Sequence, residues 1–309
     1  MSDLAGPTPA HDGSYAKPAR PVEVLGRQRL RERVKNALFR VLLLFSLLLG
    51  VVALVVLLAD VLDRGLGHVW QVVTSFPSGL PARAGAQSAI MGTIWLMALV
   101  ALFTIPVGVG AAVYLEEYAD RSRRWNRLIE VNIQNLAAVP SIVYGILGLG
   151  FLVRGFVGLG QTLLAGALTL SLLVLPTVII ASREALRSVP DSIRHGSLAL
   201  GATPWQTTWR QVLPAAIPGI ATGTILGLSR AIGEAAPLIL LGALTFVTFN
   251  PEGLNSAFTA LPIQIFNWIS RPQDEFKLLA AGAILVLLVI LLSMNAFAIW
   301  MRSRYQKRW

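Results

Sequence analysis

Arg230 lies near the middle of an apolar stretch, Ala215–Leu244, that is long enough to cross a bilayer, and Glu234 follows it four residues later. An arginine at membrane depth costs roughly 2.5–3.5 kcal/mol on insertion scales. Such residues face a bundle interior or a watery path and mark an ion or substrate route. A fixed guanidinium offers charge-assisted hydrogen bonds to an anion. A carboxylate one turn away would hold that cation and partly neutralise it when no anion is present. One cationic side chain makes a sparse anion site, so a second chain is expected to contribute the rest. Ser141, at a proline-bent point of another apolar stretch, could add a neutral donor; the bland alternative is a hydroxyl bonded to its own helix backbone.

The same stretch carries Gly219, Gly223 and Gly227 at four-residue intervals ahead of Arg230. At about 100° per residue, with Gly219 at 0°, the other two glycines, Arg230 and Glu234 fall near 40°, 80°, 20° and 60°. All five therefore share one helical stripe. Small residues at this spacing let helix backbones approach closely, and charges on the same stripe must face protein or water rather than lipid. Two readings of the pair stand: an intrahelical lock that only aids packing, or a cationic gate for an anion. A purely structural pair could be replaced by apolar residues without loss, which favours the gate.

The elements that must hold these residues are membrane helices. The chain of 309 residues is 55% hydrophobic and only 14% charged, with a mean hydropathy of +0.65. A soluble domain of this size needs more charge to cover its surface. There is no cysteine, which removes disulfides, thiolate nucleophiles and cysteine-bound metals. His11, His68 and His195 are scattered, with no metal-ligand spacing. The net charge of +10 is read as membrane orientation rather than nucleic-acid binding.

Six spans are expected, an all-α polytopic fold: Leu38–Leu62, Gln87–Leu115, Ile129–Val153, Gln161–Ala181, Ala215–Leu244 and Leu278–Met301. Lys and Arg are distributed unevenly about them. The N-terminal part through Arg40 holds eight, and the Glu116–Leu128 loop, the Arg183–Leu213 loop and the tail after Met301 hold four each. The opposite loops hold two, one and two. That bias predicts that both termini are cytoplasmic. Residues 1–37 read as a polar, basic arm, largely disordered, which could touch anionic lipid through Arg27, Arg29, Arg31, Arg33 and Lys35. Residues 38–309 form the membrane domain. No inverted repeat is evident among the spans, which weakens a secondary-transporter reading.

The 183–213 loop reads as structured. Pro190-Asp191-Ser192 opens a short helix with Asp191 or Ser192 as its cap, and Gly201 is a good terminator. Thr203-Pro204-Trp205-Gln206 is a second start, with a Thr cap, Pro at the first helical position and Gln at the third. Pro214 and Pro218 are expected to break or bend the chain as it re-enters the membrane. Exposed Leu198, Leu200 and Trp205 suit either a docking element for a soluble partner or an amphipathic hairpin on the lipid interface.

Gly201 with Leu213-Pro214 resembles the EAA loop of ABC-importer permeases. The Glu-Ala-Ala slot here holds His195-Gly196-Ser197, and the Ile slot holds Gln211. Several separated motifs are similar to phosphate-specific ABC permeases: Leu200-Gly201-Ala202-Thr203-Pro204-Trp205-Gln206, Ser229-Arg230-Ala231-Ile232-Gly233-Glu234, Val139-Pro140-Ser141-Ile142-Val143-Tyr144-Gly145, and Ala111-Ala112-Val113-Tyr114-Leu115-Glu116-Glu117-Tyr118-Ala119. Leu261-Pro262-Ile263-Gln264-Ile265-Phe266-Asn267-Trp268, expected outside the membrane, favours the PstA-type subunit over the PstC-type. The resemblance implies a type I ABC importer permease fold in the bacterial inner membrane. It implies a heterodimer with a PstC-type permease, two cytoplasmic PstB-type ATPase subunits and an external phosphate-binding protein. Its anion-path residues map onto Arg230 and Glu234, and its ATPase-docking helix onto about Ile193–Gly201, with Arg194, His195, Leu198, Gly201, Ala202 and Trp205 on or beside it.

No phosphate-cradling Gly-x-x-x-x-Gly-Lys-Ser/Thr loop occurs. The expected cofactor is therefore none in this chain, with ATP and magnesium used by partner subunits. The rival readings are a sulfate or molybdate permease of the same architecture and a stand-alone carrier or channel. A membrane enzyme is weaker still, for want of a base–nucleophile pair in the membrane core.

Overall fold

The computed structural model describes residues 30–120, 122–243 and 246–305. The arm expected over 1–37 is thus covered only from Leu30, and Arg27 and Arg29 lie outside the described residues. Helix α1, Leu30–Gly65, begins eight residues ahead of the expected first span, because the intervening Arg, Glu, Lys and Ala are good helix formers. Residues up to Leu57 form one unit and those from Leu58 onward a second. The apolar side chains of α1 through Leu58 are exposed along its length.

In the second unit, α2 (Val69–Thr74) and α3 (Gln87–Val113) come first, and α3 continues through a wide π turn, Tyr114–Tyr118. Then come α4 (Arg124–Ala137) and α5 (Ser141–Leu147), the latter prolonged by a π segment, Gly148–Val153. Next are α6 (Leu163–Arg187), α7 (Asp191–Ala199), α8 (Pro204–Thr207) and α9 (Leu213–Ile232). Finally there are α10 (Ala236–Leu241), α11 (Leu261–Ile269) and α12 (Asp274–Tyr305). No strand occurs among the described residues. Among the described residues five helices are long and apolar enough to cross a membrane, and six if the bent pair α4–α5 counts as one span.

Helix α6 is the axis of the bundle, with two-thirds of its most apolar window buried. Glycines let its neighbours close in. A Cβ at Gly219 would stand 2.6 Å from that of Ala185, one at Gly227 would stand 3.1 Å from Val174, and one at Gly223 would run into Ala181. The glycine stripe of α9 is therefore the surface that meets α6, with backbones separated by little more than a methyl group.

Three boundaries differ from expectation. The third span is not one helix: the chain turns by 106° between α4 and α5. Pro140 lacks an N–H and holds Val139 out of the helical region, so α4 ends at Ala137 with Ala138 as its C-cap, and Pro140 caps α5. The fifth span stops at Ile232 and resumes as α10. The ring of Pro237 would collide with the carbonyl of Gly233 in a continuous helix, and Gly242 then closes α10 at φ 89°. Conversely, Pro214 and Pro218 do not break the re-entry. Pro214 occupies the first turn of α9, and the π turn Thr208–Val212 ahead of it absorbs the missing N–H. The segment Leu261–Trp268 forms α11 and packs as core: Leu261, Ile263 and Trp268 are buried, and the Leu261 amide donates to Thr93 Oγ1 on α3 at 2.9 Å.

Candidate functional site

Arg230 closes the last turn of α9, and the glycine face beside it is covered by α6. Its own side chain is 55% exposed, whereas Glu234 is 18% exposed. Glu234 is not on the helix. It sits in the Gly233–Ala235 break, its amide bonded to the Ala231 carbonyl at 3.1 Å, and its Oε1 accepts from Arg230 Nε at 3.4 Å. The pair therefore spans a helix end and a break rather than one face of a continuous helix. Among the described residues the two Nη groups of Arg230 have no bond, so four of its N–H donors are available to an anion.

The break does not stand alone. Ala231, Ile232 and Leu238 share a core with Tyr144 and Val139 from the α4–α5 elbow. The Gly145 backbone lies against Pro237, where a Cβ would come within 2.7 Å of Pro237 Cα. The Tyr144 hydroxyl donates to the Leu136 carbonyl at 2.8 Å, a second donor beside the Val139 amide at 3.1 Å, at the end of α4. Two interrupted spans are thus locked together at their interruptions, and the half-buried Ser141 lies in that elbow as the first residue of α5. No preceding turn of its own helix offers its hydroxyl a carbonyl.

At the end of the bundle carrying α7 and α8, Gly201 adopts φ +83°. Its amide donates to Leu198 O at 2.9 Å and the Ala202 amide donates to Ser197 O at 3.2 Å. This is the paired termination that a left-handed glycine permits. Thr203 and Gln206 form the reciprocal cap expected of them. The cap of α7 differs: Pro190 takes that place without a side-chain bond, and Asp191 is the first helical residue, accepting from Arg194 Nη1 at 3.1 Å. His195, Leu198 and Trp205 are exposed, and Leu200 is 90% exposed. Ala202 is half-buried. Trp205 stacks obliquely on Trp209, with centroids 5.1 Å apart, and Ser197 and Thr207 hydroxyls join α7 to α8 at 2.9 Å.

Arg194, expected on the docking surface, turns inward instead. It forks onto Glu117 at 2.8 and 3.3 Å and donates to the Leu186 and Val189 carbonyls at 2.9 and 2.6 Å. Hydrogen bonding from Glu117 pushes its already high pKa further up, outweighing burial, so it is a cation at any pH a cell meets. The neighbouring Glu116 accepts from Arg187 through both oxygens at 3.2 Å. Arg183, 9% exposed, lies 3.5 Å from Glu116 and 3.0 Å from Glu130. The longer contact is electrostatic only, since Arg183 Nε makes no hydrogen bond. The sequence hinted at this network in adjacent carboxylates at the end of one apolar helix and arginines four apart at the end of another.

The family model described as "Binding-protein-dependent transport system inner membrane component" matches residues 104–308. The chain belongs to this family. Within it, a phosphate transport system permease protein PstA 1 of Mycobacterium tuberculosis is 33% identical over 295 residues, covering 93% of this chain and 94% of that one. A phosphate transport system permease protein PstC of Mesorhizobium japonicum is 28% identical, covering 83% and 88%. A chain from a bacterial alginate ABC transporter, solved with its pentasaccharide-bound periplasmic protein, superposes with a TM-score of 0.63 at 17% identity, covering 91% and 99%. That likeness bears on the fold, which is that of importer permeases. The chain is a PstA-type, multi-pass membrane permease subunit of an ABC transporter.

Proposed function

We propose that this permease carries inorganic phosphate across a bacterial cytoplasmic membrane, paired with a PstC-type permease, two ATPase subunits and an external phosphate-binding protein. One observation carries the reading. Arg230 stands half-exposed on a face of the monomer, held by a single carboxylate, beside two interrupted spans that pack on each other. A guanidinium so placed has unspent donors for an oxyanion, and discontinuous helices are where transport sites are built. The PstA names of its relatives supply the cargo.

In this account both termini lie in the cytoplasm, and α7 with Gly201 and Trp205 docks an ATPase. ATP and magnesium act in the ATPase subunits, and this chain has no catalytic site. ATP-driven closure of the ATPases turns the paired permeases outward. Phosphate released by the binding protein meets Arg230, and hydrolysis returns the bundle inward. Uptake of labelled phosphate, with sulfate and molybdate as competitors, tests it in cells with and without the chain. Phosphate uptake that depends on the chain supports the reading; uptake of sulfate or molybdate alone overturns the cargo, and transport by the chain without ATPase subunits overturns the class.

A further inference from the structure

Helix α7 has nine residues and none of them is buried. A lever this small cannot be held in register by packing alone, since only Ile193 reaches the core beneath it. Arg194 holds it instead, through the carboxylate of Glu117 and the carbonyls of Leu186 and Val189. Glu117 and Glu116 are adjacent on the π turn that ends α3, and they face different partners. Glu117 takes α7 through Arg194. Glu116 takes α6 through Arg183 and Arg187, and Arg183 continues to Glu130 on α4. One turn of backbone at the end of α3 thus pairs with α6 and α7, and α4 joins it through Arg183.

From there α4 leads to the anion site. It has 14 residues, about 20 Å at the helical rise. Its middle is held at Glu130, with Ile129 and Ile133 in the same core as Ile193 of α7. Its C-terminal end, about 9 Å further along, is held at the elbow, where Tyr144 grips Leu136 and Val139 packs with Ala231 and Ile232, the neighbours of Arg230. A cleft of about 310 Å³ lined by Leu115, Ala119, Asn126, Arg127, Glu130 and Arg183 gives α4 room to shift beside the π turn.

We propose that Glu117 and Arg194, continued through Glu116, Arg183 and Glu130, are positioning residues that transmit motion of α7 along α4 to the break bearing Glu234. This inference rests on the reading of α7 as the ATPase-docking helix. A rigid helix between two polar anchors carries a displacement, whereas an apolar contact at either end would slide. Charge-assisted bonds with defined geometry suit that role.

The test uses the whole transporter, purified and reconstituted with its ATPase subunits and binding protein, with inorganic phosphate as the probe. Three quantities are measured: ATPase co-purification, ATP hydrolysis, and phosphate moved per ATP. Glu117→Gln should keep the ATPase bound and hydrolysing while phosphate per ATP falls at least tenfold, and Glu117→Asp, which keeps the charge, should recover it to within threefold. A merely structural role would lower the amount of complex and leave the ratio per complex unchanged. If Glu117→Gln is not recovered, Glu130→Gln at the more exposed end carries the same measurement. An unchanged ratio overturns the proposal. Leu200→Arg separates the underlying reading: it should release the ATPase, and an ATPase that stays bound refutes docking at α7 itself.

Discussion

The Tyr144 hydroxyl donates to the Leu136 carbonyl at 2.8 Å, bridging the two halves of a span that turns by 106° between them. The bond adds a second donor to a helix-end carbonyl that already accepts from the Val139 amide, and it ties α5 back onto α4 across the elbow. Tyr144→Phe keeps the ring and removes only the donor. The Leu136 carbonyl keeps the Val139 amide as a donor, so the loss is that of one net hydrogen bond, about 0.5–1.5 kcal/mol, and the variant should show a modestly lower thermal unfolding midpoint in detergent than the parent. An equal midpoint would mean the bond does not hold the elbow.

Two glycines make opposite predictions. A methyl at Gly223 meets Ala181 of α6 head-on, whereas one at Gly196 in α7 meets nothing within 4 Å. Gly223→Val should separate α9 from α6 at a cost of about 1–3 kcal/mol or more, seen as a loss of folded, monodisperse protein. Gly196→Ala should stabilise α7 by up to about 1 kcal/mol, with yield equal to or above the parent. Tolerance at Gly223 together with loss at Gly196 would contradict the packing described.

Removing Arg194 leaves Glu117, 10% exposed, as a nearly buried carboxylate without its partner. Stranding one member of such a pair costs about 3–5 kcal/mol. Arg194→Ala should therefore lower the amount of folded permease, and the double variant Arg194→Ala/Glu117→Ala should recover part of it. Additive losses in a double-mutant cycle would show that the two residues are not coupled.

The two interruptions of the bundle were only half legible in the sequence. Pro140 announced a bend in the third span, but a right-angled elbow depends on Tyr144 and Val139 finding partners far along the chain, which no local pattern records. The helical angles correctly grouped Gly219, Gly223 and Gly227, because their period belongs to one helix. Extending the same angles to Glu234 failed: Pro237 cannot accept a continuous helix at Gly233, so the chain leaves the wheel between the two charges. At α7, the left-handed Gly201 and the Thr203–Gln206 cap follow from local backbone chemistry and are legible in the sequence. The inward turn of Arg194 is not legible locally, since it is decided by Glu117, 77 residues earlier.

The central claim is that the Arg230 guanidinium receives the transported anion. Labelled phosphate uptake by cells carrying Arg230→Gln, in a complex confirmed to be assembled with its partner permease and ATPases, tests it most directly. The account predicts uptake reduced to the level of cells lacking the permease. Uptake at the parental rate from an assembled Arg230→Gln complex would contradict it.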